Sequence, residues 1–131
     1  MNEHKLTLKV IRPEAKIMSR QALPYFFGVS RETVGAEGIS MNLVVIPPGS
    51  SPKAHYHKDF ETAIYILKGE VNNLYGEELK ESCVTRAGDF IFIPPGLPHK
   101  PINMSDTEPA MAIVSRNDPD EIENVVLVDE G

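Results

Sequence analysis

One stretch decides the fold: residues 88–103 read GDFIFIPPGLPHKPIN. An apolar run, Phe90–Ile93, leads into a Pro-Pro-Gly turn, which ends a strand because proline removes backbone donors from a sheet. His99 follows this stiff turn, at the start of the next expected strand, so the direction of its side chain is well fixed. Because Phe90–Ile93 is apolar on both faces, we expect this strand to be buried on both sides.

A second stretch, residues 49–61, reads GSSPKAHYHKDFE. In a strand, His55 and His57 point to the same face because side chains repeat every two residues. Two imidazoles on one face are suitable metal ligands, and Glu61 offers an oxygen donor nearby. The His-x-His pattern alone is equally compatible with two surface histidines.

Short strand-like runs rich in β-branched and aromatic residues extend along the chain, separated by nine glycines and eleven prolines. These runs are Leu6–Ile11, Ile39–Ile46, Thr62–Leu67, Phe90–Ile93, Ala110–Val114 and Val125–Val128. This pattern predicts an all-β sandwich or barrel. In the second run, Ser40 and Asn42 alternate with apolar residues, which predicts that they form a solvated face. We expect helix only as single turns, around Ile17–Ala22 or Pro119–Ile122.

Composition excludes several classes of protein. A length of 131 residues predicts one domain. A formal charge of −6 argues against binding to nucleic acid or to an anionic membrane. From the polar N-terminus we expect no secretory signal, and no apolar run is long enough to predict a helix that crosses a bilayer. A single cysteine, Cys83, excludes an intramolecular disulfide and favours a reducing, cytoplasmic setting. We expect Cys83 to be a buried or half-buried strand residue.

Together, the two stretches resemble the motifs of the cupin superfamily. The first cupin motif is matched at Gly49, His55, His57 and Glu61, and the second at Gly88, Pro94, Gly96, His99 and Asn103. The resemblance implies a double-stranded β-helix, the RmlC-like jelly-roll barrel, as one cupin domain over residues 1–131. Within it we expect N-terminal strands and a loop over 1–38, the barrel core over 39–116 and a C-terminal strand over 117–131.

The first motif departs from the family pattern by one residue. Seven residues, not six, separate Glu61 from Gly69, and Thr62 occupies the place obtained by counting back from Gly69. Either a β-bulge near Thr62 returns Glu61 to the interior, or Glu61 faces away and only three histidines remain. The bulge is the favoured alternative, since threonine is a poor metal ligand and bulges are common beside active sites.

The resemblance implies one divalent metal ion, which could be Fe, Mn, Ni, Co or Zn. Its ligands would be His55, His57, Glu61 and His99, leaving two of six octahedral positions open for substrate or O₂. Open positions are typical of a catalytic rather than a structural site. The alternative without a metal requires the three histidines to be satisfied by hydrogen bonds in the core.

The function implied is that of a metal-dependent enzyme acting on a small oxygenated organic substrate. A dioxygenase is favoured, because three histidines and a carboxylate suit Fe(II), with a decarboxylase or isomerase as related possibilities. A non-catalytic module that binds a small molecule or metal is the main alternative. A metal-free sugar epimerase is a weaker one, because it needs a histidine that is not a ligand and a cationic site. The resemblance also predicts a homodimer.

Other residues have secondary roles in these expectations. Tyr56 and Tyr65 are candidates for hydrogen bonds near the metal, and Asn103 for a structural role in holding the loop that carries His99. His4 is expected at the surface. The arginines are expected to be mainly solvated, with one able to serve an anionic substrate; they are Arg20, Arg31, Arg86 and Arg116.

Overall fold

The computed structural model of this chain describes residues 6–12, 17–18, 24–50, 52–120 and 125–129. Strands dominate these residues, with one short α-helix and one 3₁₀ turn at Glu77–Leu79. The elements are β1 (Ile17–Met18), β2 (Pro24–Val29), α1 (Arg31–Val34), β3 (Ser40–Ile46), β4 (His55–His57), β5 (Thr62–Lys68), β6 (Glu70–Tyr75), β7 (Glu81–Arg86), β8 (Phe90–Ile93), β9 (His99–Asn103), β10 (Ala110–Arg116) and β11 (Val125–Leu127).

The strands form two antiparallel sheets, one of six strands and one of five. The first has the order β1-β2-β3-β10-β5-β8 and the second the order β11-β4-β9-β6-β7. Side chains from both sheets share a core, with Val71 of the five-stranded sheet among Tyr25, Val44, Ile46 and Val114 of the other. This arrangement confirms the predicted all-β, jelly-roll fold.

A single residue, Gly69, carries the chain from one sheet to the other, between β5 and β6. Its φ of 91° lies in the region that side chains rarely adopt, and a Cβ added there would lie 2.9 Å from the Cβ of Ala110. Glycine is therefore required twice over, by backbone conformation and by close approach. This tight crossover fixes the position of β5 relative to the five-stranded sheet.

The predicted strand at Leu6–Ile11 is wrong. Residues 6–12 adopt no regular structure, and Leu6 and Leu8 are exposed. Within the described part of the chain, no strand pairs with this segment, which is tied down by Lys9 Nζ donating to the Val34 carbonyl at 2.8 Å. The other five predicted runs do form strands, and β1, β2 and β6 were not predicted as strands.

The predicted helical turns are not observed. Ile17–Met18 is a strand paired with Pro24 and Tyr25, and Pro119 and Asp120 are not helical. The remainder of both predicted turns, residues 19–22 and 121–122, lies outside the described residues. The α-helix that the structure does contain, Arg31–Val34, begins with a capping box formed by Ser30 and Thr33.

The predicted orientation of β3 is inverted. Ser40 and Asn42 point inward and are buried, whereas Met41 is 48% exposed. Asn42 tolerates burial because its Oδ1 accepts a hydrogen bond from the Gly28 backbone N–H at 3.0 Å. Alternation in this sequence therefore indicated a strand, but not which face is wet.

Burial of β8 on both faces is also a wrong prediction. Phe90 is 83% exposed and Phe92 61% exposed, because β8 is the edge strand of its sheet and only Ile93 is buried. The ring of Phe90 contacts that of Tyr65, with centroids 4.7 Å apart. Cys83 lies in a strand as expected, but it is exposed.

Candidate metal centre

Three histidines meet inside the barrel. His55 and His57 belong to β4 and His99 begins β9, and these neighbouring strands place His55 directly opposite His99. The three rings lie with centroids 4.2 Å (His55–His99), 5.1 Å (His55–His57) and 5.9 Å (His57–His99) apart. One nitrogen from each ring lies within 4.8 Å of the others, and all three residues are buried. This spacing suits a single bound cation.

Backbone hydrogen bonds lock the two motifs together. The Gly96 N–H of the Pro-Pro-Gly turn donates to the His57 carbonyl at 2.7 Å. Within the turn, the Leu97 N–H donates to the Pro94 carbonyl at 3.4 Å. The rigid turn predicted from the sequence thus holds the end of β4 as well as the start of β9.

The tautomers of two of the rings are set by backbone carbonyls. His55 Nδ1 lies 3.3 Å from the Lys53 carbonyl, and His99 Nδ1 lies 2.9 Å from the Leu97 carbonyl. A carbonyl only accepts, so each Nδ1 carries the proton and each Nε2 keeps its lone pair for another partner. Both ring nitrogens of His57 are buried without a hydrogen-bond partner among the described residues.

Burial keeps the imidazoles of His55 and His57 neutral. Desolvation, followed by the charge of Arg116, lowers the pKa of His57 from 6.5 to about 2. Desolvation, followed by the neighbouring His99, lowers the pKa of His55 to about 3. Neutral imidazole is the form that binds a metal, and a cation would satisfy the orphaned nitrogen of His57. The three histidines therefore fit a divalent ion.

Glu61 does not join this cluster of side chains, and its role as a fourth metal ligand stays a prediction. It is exposed, and its carboxylate is not among the ligand atoms that lie within 4.8 Å of one another. Thr62 instead faces inward and is 1% exposed. The favoured bulge near Thr62 is also absent, because Thr62 pairs in regular register with both Arg116 and Ile93.

The additional residue is accommodated in the loop between β4 and β5, residues 58–61. The only shift in the β5–β10 pairing lies further along, between Met111 and Ala112, opposite residues 66–68. Thr62, separated from Gly69 by six residues, therefore takes the interior position where the family motif has glutamate. The observed arrangement is the second alternative, with three histidines and an outward Glu61.

Arg116 is a cavity residue that sequence reasoning placed wrongly. It was expected at the surface, yet it is 5% exposed, and its Nε donates to Thr62 Oγ1 at 2.8 Å. Its position could have been predicted, because Ala112, Val114 and Arg116 alternate along the inner face of β10. Arg31 and Arg86 are exposed as expected, while Arg20 and His4 lie outside the described residues.

A cavity of about 340 Å³ opens beside the histidines. His55, His99, Thr62 and Arg116 form part of its wall, and most of the rest is apolar. The other residues lining it are Tyr25, Val44, Ile46, Ile64, Ile66, Val71, Asn73, Tyr75, Cys83, Thr85, Ile91, Phe92, Ile93, Leu97, Pro101, Ala112 and Val114. The tyrosines at the cavity are thus Tyr25 and Tyr75, rather than the expected Tyr56 and Tyr65.

Asn103 has the structural role expected of it, at a different loop. Its Nδ2 donates to the carbonyls of Ile46 at 2.9 Å and Glu108 at 2.8 Å, and its Oδ1 accepts from the Ser105 N–H at 2.9 Å. These bonds hold the loop between β9 and β10, not the loop before His99. Among the described residues, no helix has the length and apolar character needed to span a membrane.

Comparison with known proteins gives curated relatives among oxalate oxidases and germin-like proteins. Oxalate oxidase GF-2.8 of Triticum aestivum is 33% identical over 87 residues, covering 58% of this chain and 36% of that protein. Germin-like protein 3-5 of Oryza sativa subsp. japonica is 33% identical over 85 residues, covering 61% of this chain and 37% of that protein. The chain thus spans little more than a third of the length of these relatives.

Solved structures share the fold. The oxalate decarboxylase of Lactobacillus farciminis, in a formate complex, superposes with a TM-score of 0.71 at 20% identity, over 87% of this chain and 33% of that chain. A Bacillus subtilis oxalate decarboxylase, described for its Mn(II) centres, superposes with a TM-score of 0.71 at 19% identity. The match covers 88% of this chain and 30% of that chain. The family model for the cupin domain matches residues 42–116, which include every histidine of the cluster. The chain therefore belongs to the cupin family.

Proposed function

We propose that this protein binds one divalent metal ion through His55, His57 and His99 and acts on a small oxygenated organic substrate. The observation that carries the proposal is the convergence of three buried imidazoles, one with both ring nitrogens unpartnered. Such nitrogens are costly in a protein interior unless a ligand satisfies them. A divalent ion is the ligand to which imidazole is best suited.

The proposed ligands are three histidines, whereas the sequence predicted three histidines and one carboxylate. The two sets differ in their total charge and in the number of coordination positions that they leave open. Three neutral imidazoles leave a divalent ion with its full charge and about three of six octahedral positions open. When bound, the ion would supply Lewis-acid polarisation of a substrate oxygen. The Lys53 and Leu97 carbonyls hold the tautomers of His55 and His99. Mostly apolar side chains line the cavity beside them.

Dioxygenase, decarboxylase and isomerase reactions are the classes that we propose. The relatives named oxalate oxidase and oxalate decarboxylase support a reaction on a small oxygenated compound. The Mn(II) centres of the Bacillus subtilis protein support manganese among the candidate metals Fe, Mn, Ni, Co and Zn.

Elemental analysis of protein purified without a metal-chelating tag tests the metal site. We expect about one divalent ion per chain in the natural protein and a loss of bound metal in His57→Ala. Glu61→Gln is the matched control, and it should keep the metal because Glu61 is exposed. A natural protein that binds none of Fe, Mn, Ni, Co or Zn on addition of the purified salts would contradict the proposal.

Turnover is tested with an oxygen electrode and a product screen over small organic acids, with oxalate included. We expect activity that disappears on treatment with EDTA and returns with the metal. Tight binding without turnover would instead favour the non-catalytic alternative. Turnover that survives removal of the metal would favour the metal-free enzyme.

We also propose a homodimer in a reducing, cytoplasmic compartment. Exposed apolar side chains such as Phe90, Phe92, Leu6 and Leu8 support a second copy as cover. The single cysteine is in keeping with a reducing compartment. Light scattering should give twice the chain mass of 14.5 kDa, and a value equal to that mass would exclude the dimer.

A further inference from the structure

The inner face of β6 forms part of the wall of the cavity beside the histidines. Side chains alternate along a strand, so Val71, Asn73 and Tyr75 share this face, and all three line the cavity. Tyr75 pairs in register with His99, whereas Asn73 pairs with Pro101. Asn73 therefore lies two residues, or about 7 Å along the strand, beyond the row that contains His99.

The side-chain amide of Asn73 is held in one orientation. Its Nδ2 lies 3.0 Å from the Cys83 carbonyl and 3.0 Å from Thr85 Oγ1, with the Val71 carbonyl at 3.4 Å. A carbonyl only accepts hydrogen bonds, so the amide nitrogen, and not the amide oxygen, must face Cys83 and Val71. Both N–H bonds of the Asn73 side chain are therefore used within the sheet formed by β6 and β7.

The oxygen of the same amide is left as an acceptor. Among the described residues, no donor reaches Asn73 Oδ1. This oxygen is not one of the buried atoms that lack a partner, so it lies at an accessible surface, and the surface that Asn73 lines is that of the cavity. In a mostly apolar cavity, a fixed acceptor favours a ligand that can donate a hydrogen bond to it.

We propose that Asn73 determines substrate specificity, because its Oδ1 accepts a hydrogen bond from an O–H or N–H group of the substrate. This inference rests on the proposed function in taking the histidine-lined cavity as the substrate site. It narrows the substrate class to compact, largely apolar molecules that carry a donor group at the end away from the histidines. A volume of about 340 Å³ is at the small end of ligand cavities, which suits such a molecule. A molecule without the donor is disfavoured, because it leaves Oδ1 unpartnered when it displaces water.

Calorimetric titration with phenol and with fluorobenzene tests this inference, because the two probes share a ring and only phenol has a donor. At pH 7.5 phenol is uncharged, since a phenolic hydroxyl has a pKa of about 10. The protein is titrated as purified and again with EDTA present. We expect phenol to bind about tenfold more tightly than fluorobenzene in EDTA, the value of one hydrogen bond. Equal affinity of the unmodified protein for the two probes would overturn the inference, whatever the variants do.

The Asn73 amide itself gives a second measurement, which needs no variant. In isotope-labelled, metal-free protein, saturating phenol should shift the NMR signals of the Asn73 side-chain NH₂ group more than saturating fluorobenzene does. The reason is that a hydrogen bond to Oδ1 polarises the whole amide group. Equal shifts with the two probes would contradict a hydrogen bond between phenol and Oδ1.

Variants assign the preference to named side chains. Asn73→Leu should lower the affinity for phenol about tenfold without lowering that for fluorobenzene, both in EDTA and in the protein as purified. Asn72→Leu is the matched control, because Asn72 is the adjacent residue of β6 and points to the other face of the sheet. Thr85→Val should reduce the preference only in part, since the Cys83 carbonyl still holds Nδ2. A preference for phenol that persists in Asn73→Leu, with the fold verified by circular dichroism, would contradict the assignment.

The titrations in EDTA separate this inference from the proposed function. If the protein binds no metal and still prefers phenol through Asn73, the metal proposal fails and the role of Asn73 stands. If it binds metal but does not distinguish phenol from fluorobenzene in EDTA, the role of Asn73 fails and the metal proposal stands.

Discussion

The two cupin motifs of this chain differ in how fully they reach the interior. The second, Gly88–Asn103, matches the family pattern at every fixed position, and it delivers His99 to the cluster. The first delivers His55 and His57, but its glutamate lies outside and Thr62 lies inside. One additional residue in a loop separates the two outcomes.

The difference teaches that neighbouring strands, rather than distance along the chain, decide which side chain enters the barrel. β5 is held at one end by the Gly69 crossover and along its length by β10 and β8. The loop at residues 58–61 has no such constraint and accommodates the insertion. A one-residue change there exchanges the inward residue without disturbing the sheet.

Among the predicted changes, removing one histidine from either motif should reduce metal affinity the most. His57→Ala and His99→Ala, one from each motif, should each weaken metal binding by about 100-fold or more, since each removes a direct ligand. Calorimetric titration with Mn(II) measures the loss. If either variant bound metal as the natural protein does, the motif carrying that residue would not contribute to the site.

The pH dependence of stability tests whether the two histidines of the first motif are neutral in the folded protein. Folded pKa values of about 3 for His55 and about 2 for His57 lie below 6.5, so the unfolded chain takes up protons first as the pH falls. Well above pH 6.5 the two histidines are neutral in both states and do not lower the free energy of unfolding. As the pH falls through 6.5, they are protonated only in the unfolded chain, and the free energy of unfolding decreases. Between pH 7.5 and 5 the metal-free protein should lose about 2–4 kcal/mol of unfolding free energy.

Urea unfolding followed by circular dichroism, with EDTA present, measures this decline. His57→Gln should show a shallower decline than the natural protein, because one of the two depressed groups is gone. Parallel declines in the two proteins would mean that His57 is not held neutral in the folded state.

Restoring a carboxylate to the interior should have a moderate effect. Thr62→Glu places an acidic group beside the histidines and Arg116, and we expect it to tighten Mn(II) binding by about tenfold, the value of one additional favourable interaction. Weaker metal binding in a folded variant would argue against Thr62 as the ligand position.

The smallest effect should come from replacing Glu61, the carboxylate of the first motif. Glu61→Gln should leave the metal affinity unchanged within about twofold, because an exposed carboxylate away from the cluster makes no direct bond. A titration alongside the histidine variants is sufficient. A large loss of metal affinity would mean that the loop at 58–61 turns Glu61 inward when metal binds.

Much of the fold could be predicted from local sequence. Turn residues and β-branched runs located five of six predicted strands, and the two motifs identified the barrel. The orientation of individual strands was less accessible: Ser40 and Asn42 are inside, and Phe90 and Phe92 are exposed. The exposure of Phe90 and Phe92 depends on the place of β8 at the edge of its sheet. The burial of Asn42 depends on the Gly28 backbone N–H, which donates to its side-chain oxygen.

The sequence likewise predicted one part of the site, the three histidines, and missed another, Arg116. The three histidines follow from spacing and a rigid turn, which are local properties. Arg116 was missed because its partner Thr62 is 54 residues away along the chain. Only the alternation with Ala112 and Val114 on β10 indicated its inward position.

By itself, the sequence determined the barrel and its histidine triad, because turn chemistry and the two-residue period of a strand act over a few neighbouring residues. The tertiary structure alone decided that Thr62 and Arg116, rather than Glu61, complete the cavity. Strand register is set by hydrogen bonds between segments that are distant along the chain. One additional residue in the loop at 58–61 leaves the hydrogen bonds of β5 unchanged. The electrostatic character of the site therefore emerged only when β4, β5 and β10 came together.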